Sequence, residues 1–301
     1  MLRLQARSMC LYCDPGIVHR IFVVENFRPG PEIPWRDNLL NEYGSLSHLV
    51  EFVRAERLGN MPPVEGWWTQ QVLKLLVAHI VETDRYVVLD AKNHLVSGLT
   101  RDFLETSLGK ARINGYSYSQ HPLREALERT LRYVGVDPAQ YTEFFPRTTT
   151  PFTFLTGYVQ DLISQVCERE GVLFPTAFIT KKLTEFFLYS GFLVSRGKLE
   201  ETYDFSQPIC PILWSHMATA NDCLRAVEQA EDRTKPFFSI HRRTIAALDQ
   251  EARKVIASFW HQRRLFDSDK SAISFLYNAN PETQLTKKLH ALALRLWRSL
   301  H

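Results

Sequence analysis

The clearest pattern of apolar and polar positions lies in residues 67–96, WWTQQVLKLLVAHIVETDRYVVLDAKNHLV. From residue 67 to about residue 81, apolar side chains occupy nearly every face of a helix, which is typical of a helix buried in a large α/β protein. The polar exceptions Gln70, Gln71 and Lys74 share one face, because they are three or four residues apart. A lysine in such a helix is costly unless it reaches water or an anionic partner. The pattern therefore predicts a polar contact for Lys74.

A short apolar run follows this helix and ends in polar residues. Residues 85–89, RYVVL, are β-branched, aromatic or apolar for the most part, so they predict a short central strand of a parallel sheet. The strand runs into Asp90-Ala91-Lys92-Asn93. In open parallel sheets, ligands bind outside the carboxyl ends of the strands. We therefore expect Asp90, Lys92 and Asn93 at a binding site.

The rest of the chain repeats this alternation of apolar runs and amphipathic segments. The fold class that it predicts is α/β, with a mostly parallel central sheet flanked by helices. We expect further strands at 19–25, 49–53, 152–156 and 237–241, and helices at 2–12, 97–108, 123–135, 157–171 and 250–265. Residues 110–119 alternate loosely and predict a half-solvated strand. A final amphipathic helix from residue 282 carries lysines and arginines.

Composition restricts the functional classes. The chain has 301 residues, 45% of them hydrophobic, and a formal charge of +3. A large core is therefore possible, whereas the balanced charge argues against nucleic acid as the main partner. No apolar run is long enough to cross a bilayer, and the first residues do not resemble a secretory signal. The chain has five cysteines, an odd number, which suits a reducing cytoplasm. Within that compartment, the protein is expected either to be free or to contact the membrane peripherally through its last helix.

Two further segments contain candidate site residues. In RTTTPF, residues 147–152, the hydroxyls of Thr149 and Thr150 beside Arg147 suit a sugar or phosphate pocket, and an ordinary turn is the alternative. In LTEFFLY, residues 183–189, the carboxylate of Glu185 lies among apolar side chains, so its pKa should be raised unless it is paired. Such a carboxylate can act as a general base. A structural bond to Tyr189 or Lys182 is the alternative.

Four motifs together carry a family resemblance. WWTQQVLKL, YVVLDAKNHLV, TTTPF and LTEFFLY resemble an uncharacterised bacterial family of glycosyltransferase-like proteins with the A-type nucleotide-diphospho-sugar transferase fold. The resemblance covers about residues 4–266. It implies transfer of a sugar from a nucleotide-diphosphate donor to a carbohydrate or other hydroxyl acceptor, for example in bacterial surface-polysaccharide synthesis. It also implies one domain at 1–266 followed by a helical extension at 267–301. The A-type fold opens with a strand, whereas the first element expected in this sequence is a helix; either the true start lies upstream, or a different strand takes the place of the first one.

The resemblance also implies roles for individual residues. In the A-type class an Asp-x-Asp holds a divalent ion, whereas here the third position is Lys92. Asp90, Asn93 and His241 are the expected ligands of Mn²⁺ or Mg²⁺; alternatively, Lys92 itself neutralises the diphosphate and no metal is needed. A third interpretation is that Asp90 only caps a turn. The expected catalytic residues are Glu185, as the base, and Asp90. The remaining donor-binding residues are Gln71, Lys74, Lys92, Asn93, Thr149, Thr150 and Arg242.

Two other functions stay open at this point. One is a catalytically inert binding module. Two features favour it: Lys92 stands where the A-type class has an acid, and the first strand of that fold is missing. The other is a membrane-peripheral scaffold that uses the basic C-terminal helix.

Overall fold

The computed structural model describes residues 1–26, 35–64 and 66–279. The α-helices are α1 Leu2–Tyr12, α2 Trp35–Tyr43, α3 Ala55–Leu58, α4 Gly66–Leu76, α5 Arg101–Leu104, α6 Arg124–Tyr133, α7 Thr156–Glu170, α8 Phe174–Thr180, α9 Glu185–Ser195, α10 Leu199–Thr202, α11 Ala220–Ala230, α12 Arg242–Ala247, α13 Gln250–Gln262 and α14 Asp269–Ala279. The strands are β1 Ile21–Glu25, β2 Val50–Arg54, β3 Arg85–Val88, β4 Asn93–Leu95, β5 Ala111–Arg112, β6 Gly115–Tyr116, β7 Phe145–Pro146, β8 Phe152–Leu155, β9 Tyr203–Asp204, β10 Ile212–Leu213 and β11 Phe237–Ile240.

The predicted mostly parallel central sheet is wrong. Among the described residues the strands form separate sheets of two or three members. β1 pairs with β2 and β5 with β9 in parallel, whereas β3 pairs with β8 and β6 with β7 in antiparallel orientation. In the three-stranded sheet, β11 lies between β10, which is parallel to it, and β4, which is antiparallel. The protein is therefore a mixed α/β structure without a long parallel sheet.

The error has a physical cause in β3. This strand was expected at the centre of the sheet, but its side chains are half-buried or exposed, and its one partner in the described part of the chain is β8. A five-residue apolar run does not distinguish a central strand from an edge strand, because both favour β-branched and aromatic residues. Two smaller predictions also fail: only residues 101–104 of the expected helix at 97–108 are helical, and residues 110–119 contain two-residue strands.

Buried apolar side chains form the largest core around α4, α7, β8 and α9. Phe154 of β8 lies against Phe186 and Tyr189 of α9, with ring centroids 5.8 and 4.8 Å apart. Every residue of α9 from Glu185 to Leu193 is buried, which is expected of a helix that is apolar on all faces. The core therefore encloses the one carboxylate of this helix.

A second core joins α11, β11, α13 and α14. Ala272 and Leu276 of α14 belong to the same cluster as Ile256 and Trp260 of α13. The described part of the predicted extension at 267–301 thus packs on the preceding helices, whereas the predicted basic helix from residue 282 lies outside the described residues. Within those residues, no helix combines the length and the apolar character that crossing a bilayer requires. All five cysteines are free thiols.

Candidate functional site

The turn between β3 and β4 places Asp90 between two lysines. The amide of Asn93 donates to the carbonyl of Asp90 at 2.9 Å, which closes the turn. The Asp90 carboxylate then accepts the Lys74 ammonium at Oδ1, at 3.0 Å, and the Lys92 ammonium at Oδ2, at 2.9 Å. Its side chain is 25% exposed. The Asp90 carboxylate therefore binds two cations, whereas its backbone carbonyl closes the turn.

The same lysine reaches the carboxylate of α9. The Lys74 Nζ lies 3.2 Å from Glu185 Oε1 and 5.1 Å from the centre of the Phe186 ring. The side chains of Lys74 and Glu185 are only 14% and 7% exposed. The expected anionic partner of Lys74 thus exists. Lys74 connects the carboxylates of Asp90 and Glu185, which are 95 positions apart in the sequence.

Burial and charge move the two carboxyl pKa values in opposite directions. Burial alone would raise the pKa of Asp90, but the charges of Lys74 and Lys92 outweigh it and hold that pKa well below its ordinary value. Burial raises the pKa of Glu185 despite the lowering effect of Lys74. For Lys74, the two carboxylates outweigh burial, and its pKa is raised. Pairs of carboxyls with separated pKa values are typical of sites in which one group remains charged and the other exchanges protons.

The end of β11 brings more cations to this turn. The Ile240 amide donates to the Lys92 carbonyl at 3.4 Å, so His241 follows directly beside Lys92. The Lys92 Nζ lies 5.3 Å from the centre of the Trp214 ring, and the rings of Trp214 and His241 are 6.5 Å apart. Partial burial, and then the charges of Lys92, Arg243 and Arg242, lower the pKa of His241. The imidazole is therefore neutral at physiological pH.

Asn93 has a different environment from the one expected of a metal ligand. Its buried amide oxygen accepts the Asp90 amide at 2.7 Å and the Thr150 hydroxyl at 2.7 Å. Its amide nitrogen donates to the Thr150 carbonyl and to the Ser239 hydroxyl. Asn93 thus fixes the turn to β8 and β11, and in this arrangement its oxygen faces the protein.

The residues present do not form a divalent-ion site. Both Asp90 oxygens contact ammonium groups, and the Nδ1 atom of His241 accepts the Arg243 amide at 3.3 Å. Across the described ranges, no group of three or more His, Cys, Asp or Glu side chains could hold a metal ion. Ammonium groups cannot be ligands, so a hard cation would have to displace both lysines.

The other expected donor-binding residues differ in their burial and in their contacts. Gln71 is buried on α4 and donates to the Trp67 carbonyl at 3.4 Å, and its buried Oε1 has no hydrogen-bond partner among the described residues. Thr150 is buried beside Asn93, whereas Thr149 is half-buried. Arg242 is exposed at the start of α12. Their predicted roles in donor binding remain predictions.

Sequence reasoning missed two neighbours of this site. Trp214 was not among the expected site residues; it follows β10, which is only two residues long and has no apolar periodicity. Ser239 is buried within β11 and bonds to Asn93 at 2.8 Å; a polar residue at a fully buried strand position was the available signal.

Arg147, which precedes Thr150 by three positions, is a further half-buried cation. Its guanidinium lies 5.6 Å from the centre of the Tyr116 ring, and its buried Nε atom has no hydrogen-bond partner in the part of the chain that the structure describes. Burial lowers the pKa of Arg147. Among the described residues it has no carboxylate partner in an ion pair, which is uncommon for a cation in such a position.

Together, these contacts define a half-buried site of alternating lysines and carboxylates, bordered by a neutral histidine and an arginine pair. The sequence of residues 6–273 matches the family of unknown function DUF6492. Because this match spans most of the 301 residues, the chain belongs to that family. No curated protein matches the chain.

Proposed function

We propose that the protein transfers a sugar from a nucleoside-diphosphate donor to a carbohydrate or other hydroxyl acceptor. The observation that carries this proposal is the position of Lys92, whose ammonium lies between the Asp90 carboxylate and the Trp214 ring. His241 adjoins it, and Arg242 and Arg243 make no ion pair with any carboxylate of the described chain. Ammonium and guanidinium groups without full compensation favour a diphosphate.

Each group then has a role in the transfer. The acceptor oxygen forms a bond to the anomeric carbon while the bond from that carbon to the diphosphate oxygen breaks. The leaving diphosphate takes the electron pair, and Lys92, Arg242 and Arg243 stabilise its negative charge. The acceptor proton passes to Glu185, whose raised pKa makes it the stronger base of the two carboxylates. Asp90 remains ionised and orients the two lysines. No step uses a divalent ion, since the donor set does not fit one.

A binding module without turnover is the second candidate. Glu185 is 7% exposed and already pairs with Lys74, so an acceptor has little direct access to it. Such a module would bind nucleotides through Lys92 but would not consume a donor. In either case a cytoplasmic location is part of the proposal, because five free cysteines suit a reducing compartment.

Thermal denaturation with a panel of nucleoside diphosphates tests the binding step. A ligand present at 100 times its Kd stabilises the native state by about 2.7 kcal/mol. We expect one nucleotide to raise the Tm of the wild type without Mn²⁺, and Lys92→Met to lose this rise. The matched control is Lys254→Met, because Lys254 is an exposed lysine that pairs with Glu251 on α13. A rise that persists in Lys92→Met, or that requires Mn²⁺, would contradict the role of Lys92.

Donor consumption separates the two candidates. With the nucleotide identified above, we expect the wild type to release nucleoside diphosphate from the matching nucleotide sugar when an acceptor is present. Glu185→Gln should reduce kcat strongly and leave the nucleotide-induced Tm rise intact. Nucleotide binding without any donor consumption would favour the binding module.

A further inference from the structure

A second basic region lies at the other end of β4 from Asp90 and Lys92. There, residues that follow β4 and the C-terminal end of α13 enclose a cavity of about 440 Å³. Its lining includes Tyr12, Gly98 and three arginines, and no aspartate or glutamate among the described residues; the arginines are Arg233, Arg263 and Arg264. A neighbouring cavity of about 550 Å³ shares Tyr12, Gly98 and Thr100 with it, and its lining mixes the apolar Ile17 and Leu99 with the charged Asp14 and Arg101. Three arginines therefore line one cavity, and none of its described lining residues is an acid.

Only one of these arginines is neutralised by its own surroundings. Arg263 donates to the Glu231 carboxylate at 2.9 Å and to the Ala230 carbonyl at 3.3 Å. Neither Arg233 nor Arg264 has an ion pair or a side-chain hydrogen bond within residues 1–26, 35–64 and 66–279. Two guanidinium groups thus remain available to an anion in the cavity.

The backbone around the cavity is well fixed. The Tyr12 hydroxyl donates to the Arg263 carbonyl at 2.5 Å, and the Ser97 hydroxyl donates to the Arg233 carbonyl at 3.4 Å. Arg264 has a φ of 54°, and the next amide, that of Leu265, donates to the Trp260 carbonyl at 2.9 Å. This is the helix-ending geometry in which glycine is preferred. Arg264, which lines the cavity, occupies this position despite the steric cost.

We infer that this cavity binds a phosphate ester. Guanidinium groups match the geometry of phosphate oxygens and can bind them through two parallel hydrogen bonds. The volume lies within the range of small-molecule sites, so a sugar phosphate or a nucleotide fits. The neighbouring cavity carries both charges and apolar surface, with Asp14, Arg101 and Leu99 in its lining, and it takes the part of the ligand that lies beyond the phosphate. None of these residues belongs to the site around Asp90, so the cavity is a second and separate anion site.

Two substitutions test the cavity without removing core contacts. Arg264→Gly removes a guanidinium from a position that suits glycine. Lys182→Gly is its matched control, because Lys182 has a φ of 51° and ends α8 with the same pattern of amide contacts but lies outside the cavity lining. Gly98→Glu introduces a carboxylate where an added Cβ meets no atom within 4 Å, and Gly98→Gln is its neutral counterpart.

The measurement is calorimetric titration with inorganic pyrophosphate at constant ionic strength, in a Lys92→Met background that weakens the site around Asp90. We expect one binding site, a Kd roughly 10- to 100-fold weaker with Arg264→Gly and with Gly98→Glu, and little change with Lys182→Gly or Gly98→Gln. Absence of binding in this background would overturn the inference, as would an unchanged Kd in both cavity variants.

Further ligands identify the source of the phosphate. A sugar phosphate or nucleoside monophosphate that binds more tightly than pyrophosphate, and loses affinity with Arg264→Gly, would support the inference. Binding only to vesicles that contain phosphatidic acid would contradict the cavity and assign these arginines to a membrane surface. The two proposals fail separately, because loss of the first site depends on Lys92 and loss of the second on Arg264.

Discussion

Replacement of Lys74 by methionine tests the charge network most directly. Methionine has similar length but no charge, so Glu185 would lose its cation while Asp90 would keep Lys92. At the observed 3.2 Å between Lys74 Nζ and Glu185 Oε1, the gross attraction is about 5 kcal/mol at an effective dielectric constant of about 20. Desolvation of the ammonium offsets part of this. Removal of one partner from a buried pair costs about 3–5 kcal/mol, and we expect a loss of unfolding free energy in this range.

The pH dependence of the loss separates this mechanism from simple packing damage. The folded-state pKa of Glu185 is raised above its ordinary value. Its contribution to stability is therefore present at low pH and is lost as the pH rises through the folded-state pKa. Lys74→Met raises that pKa further, so the destabilisation should be larger at pH 8 than at pH 5. The assay is urea denaturation at both values, followed by circular dichroism.

The double variant Lys74→Met with Glu185→Gln provides the control. Because it has no unpaired carboxylate at position 185, it should be more stable at pH 8 than the Lys74→Met single variant, and its pH dependence should be weaker. A loss below about 1 kcal/mol in the single variant would refute the reasoning. So would a loss that is greater at pH 5 than at pH 8.

Two further predictions concern buried polar residues. Burial lowers the pKa of His94 to about 3, so the free energy of unfolding should fall as the pH falls below about 6.5. His94→Gln keeps an acceptor for the Trp260 indole and should flatten the dependence of stability on pH between pH 6.5 and 4. An unchanged slope would contradict this. Asn93→Ala leaves several buried polar groups without partners and should cost about 3 kcal/mol; in thermal denaturation its Tm should fall far more than that of Asn221→Ala, an exposed control.

Helices could be predicted from the sequence more reliably than sheets. The expected helix at 2–12 coincides with α1, and that at 157–171 matches α7, whose C-terminal cap is Gly171 with a φ of 66°. Apolar periodicity and glycine stops are local signals, so one segment contains them completely. Strand pairing is not local. Nothing in RYVVL shows that its partner is FTFL, which begins 67 residues later and runs in the opposite direction.

In the candidate site, too, local features could be predicted from the sequence and long-range contacts could not. Burial of Glu185 and the location of Asp90 at a strand end followed from neighbouring residues. The expected structural partners of Glu185 were Tyr189 and Lys182, but Tyr189 instead accepts the Leu155 amide through its hydroxyl, and Glu185 bonds to Lys74. That partner is 111 positions away, and only the packing of α4 against α9 brings the two side chains together.

The contacts of Asn93 also determine when the candidate site can form during protein synthesis. Asn93 bonds to Thr150, 57 positions later, and to Ser239, 146 positions later. At a synthesis rate of about 5–20 residues per second, roughly 7–30 s separate the appearance of Asn93 from that of Ser239. Throughout this interval the turn that carries Asp90 and Lys92 lacks its β11 anchor. A chain that terminates before β11 would contain both lysines and both carboxylates, yet it could not hold them in the arrangement described above.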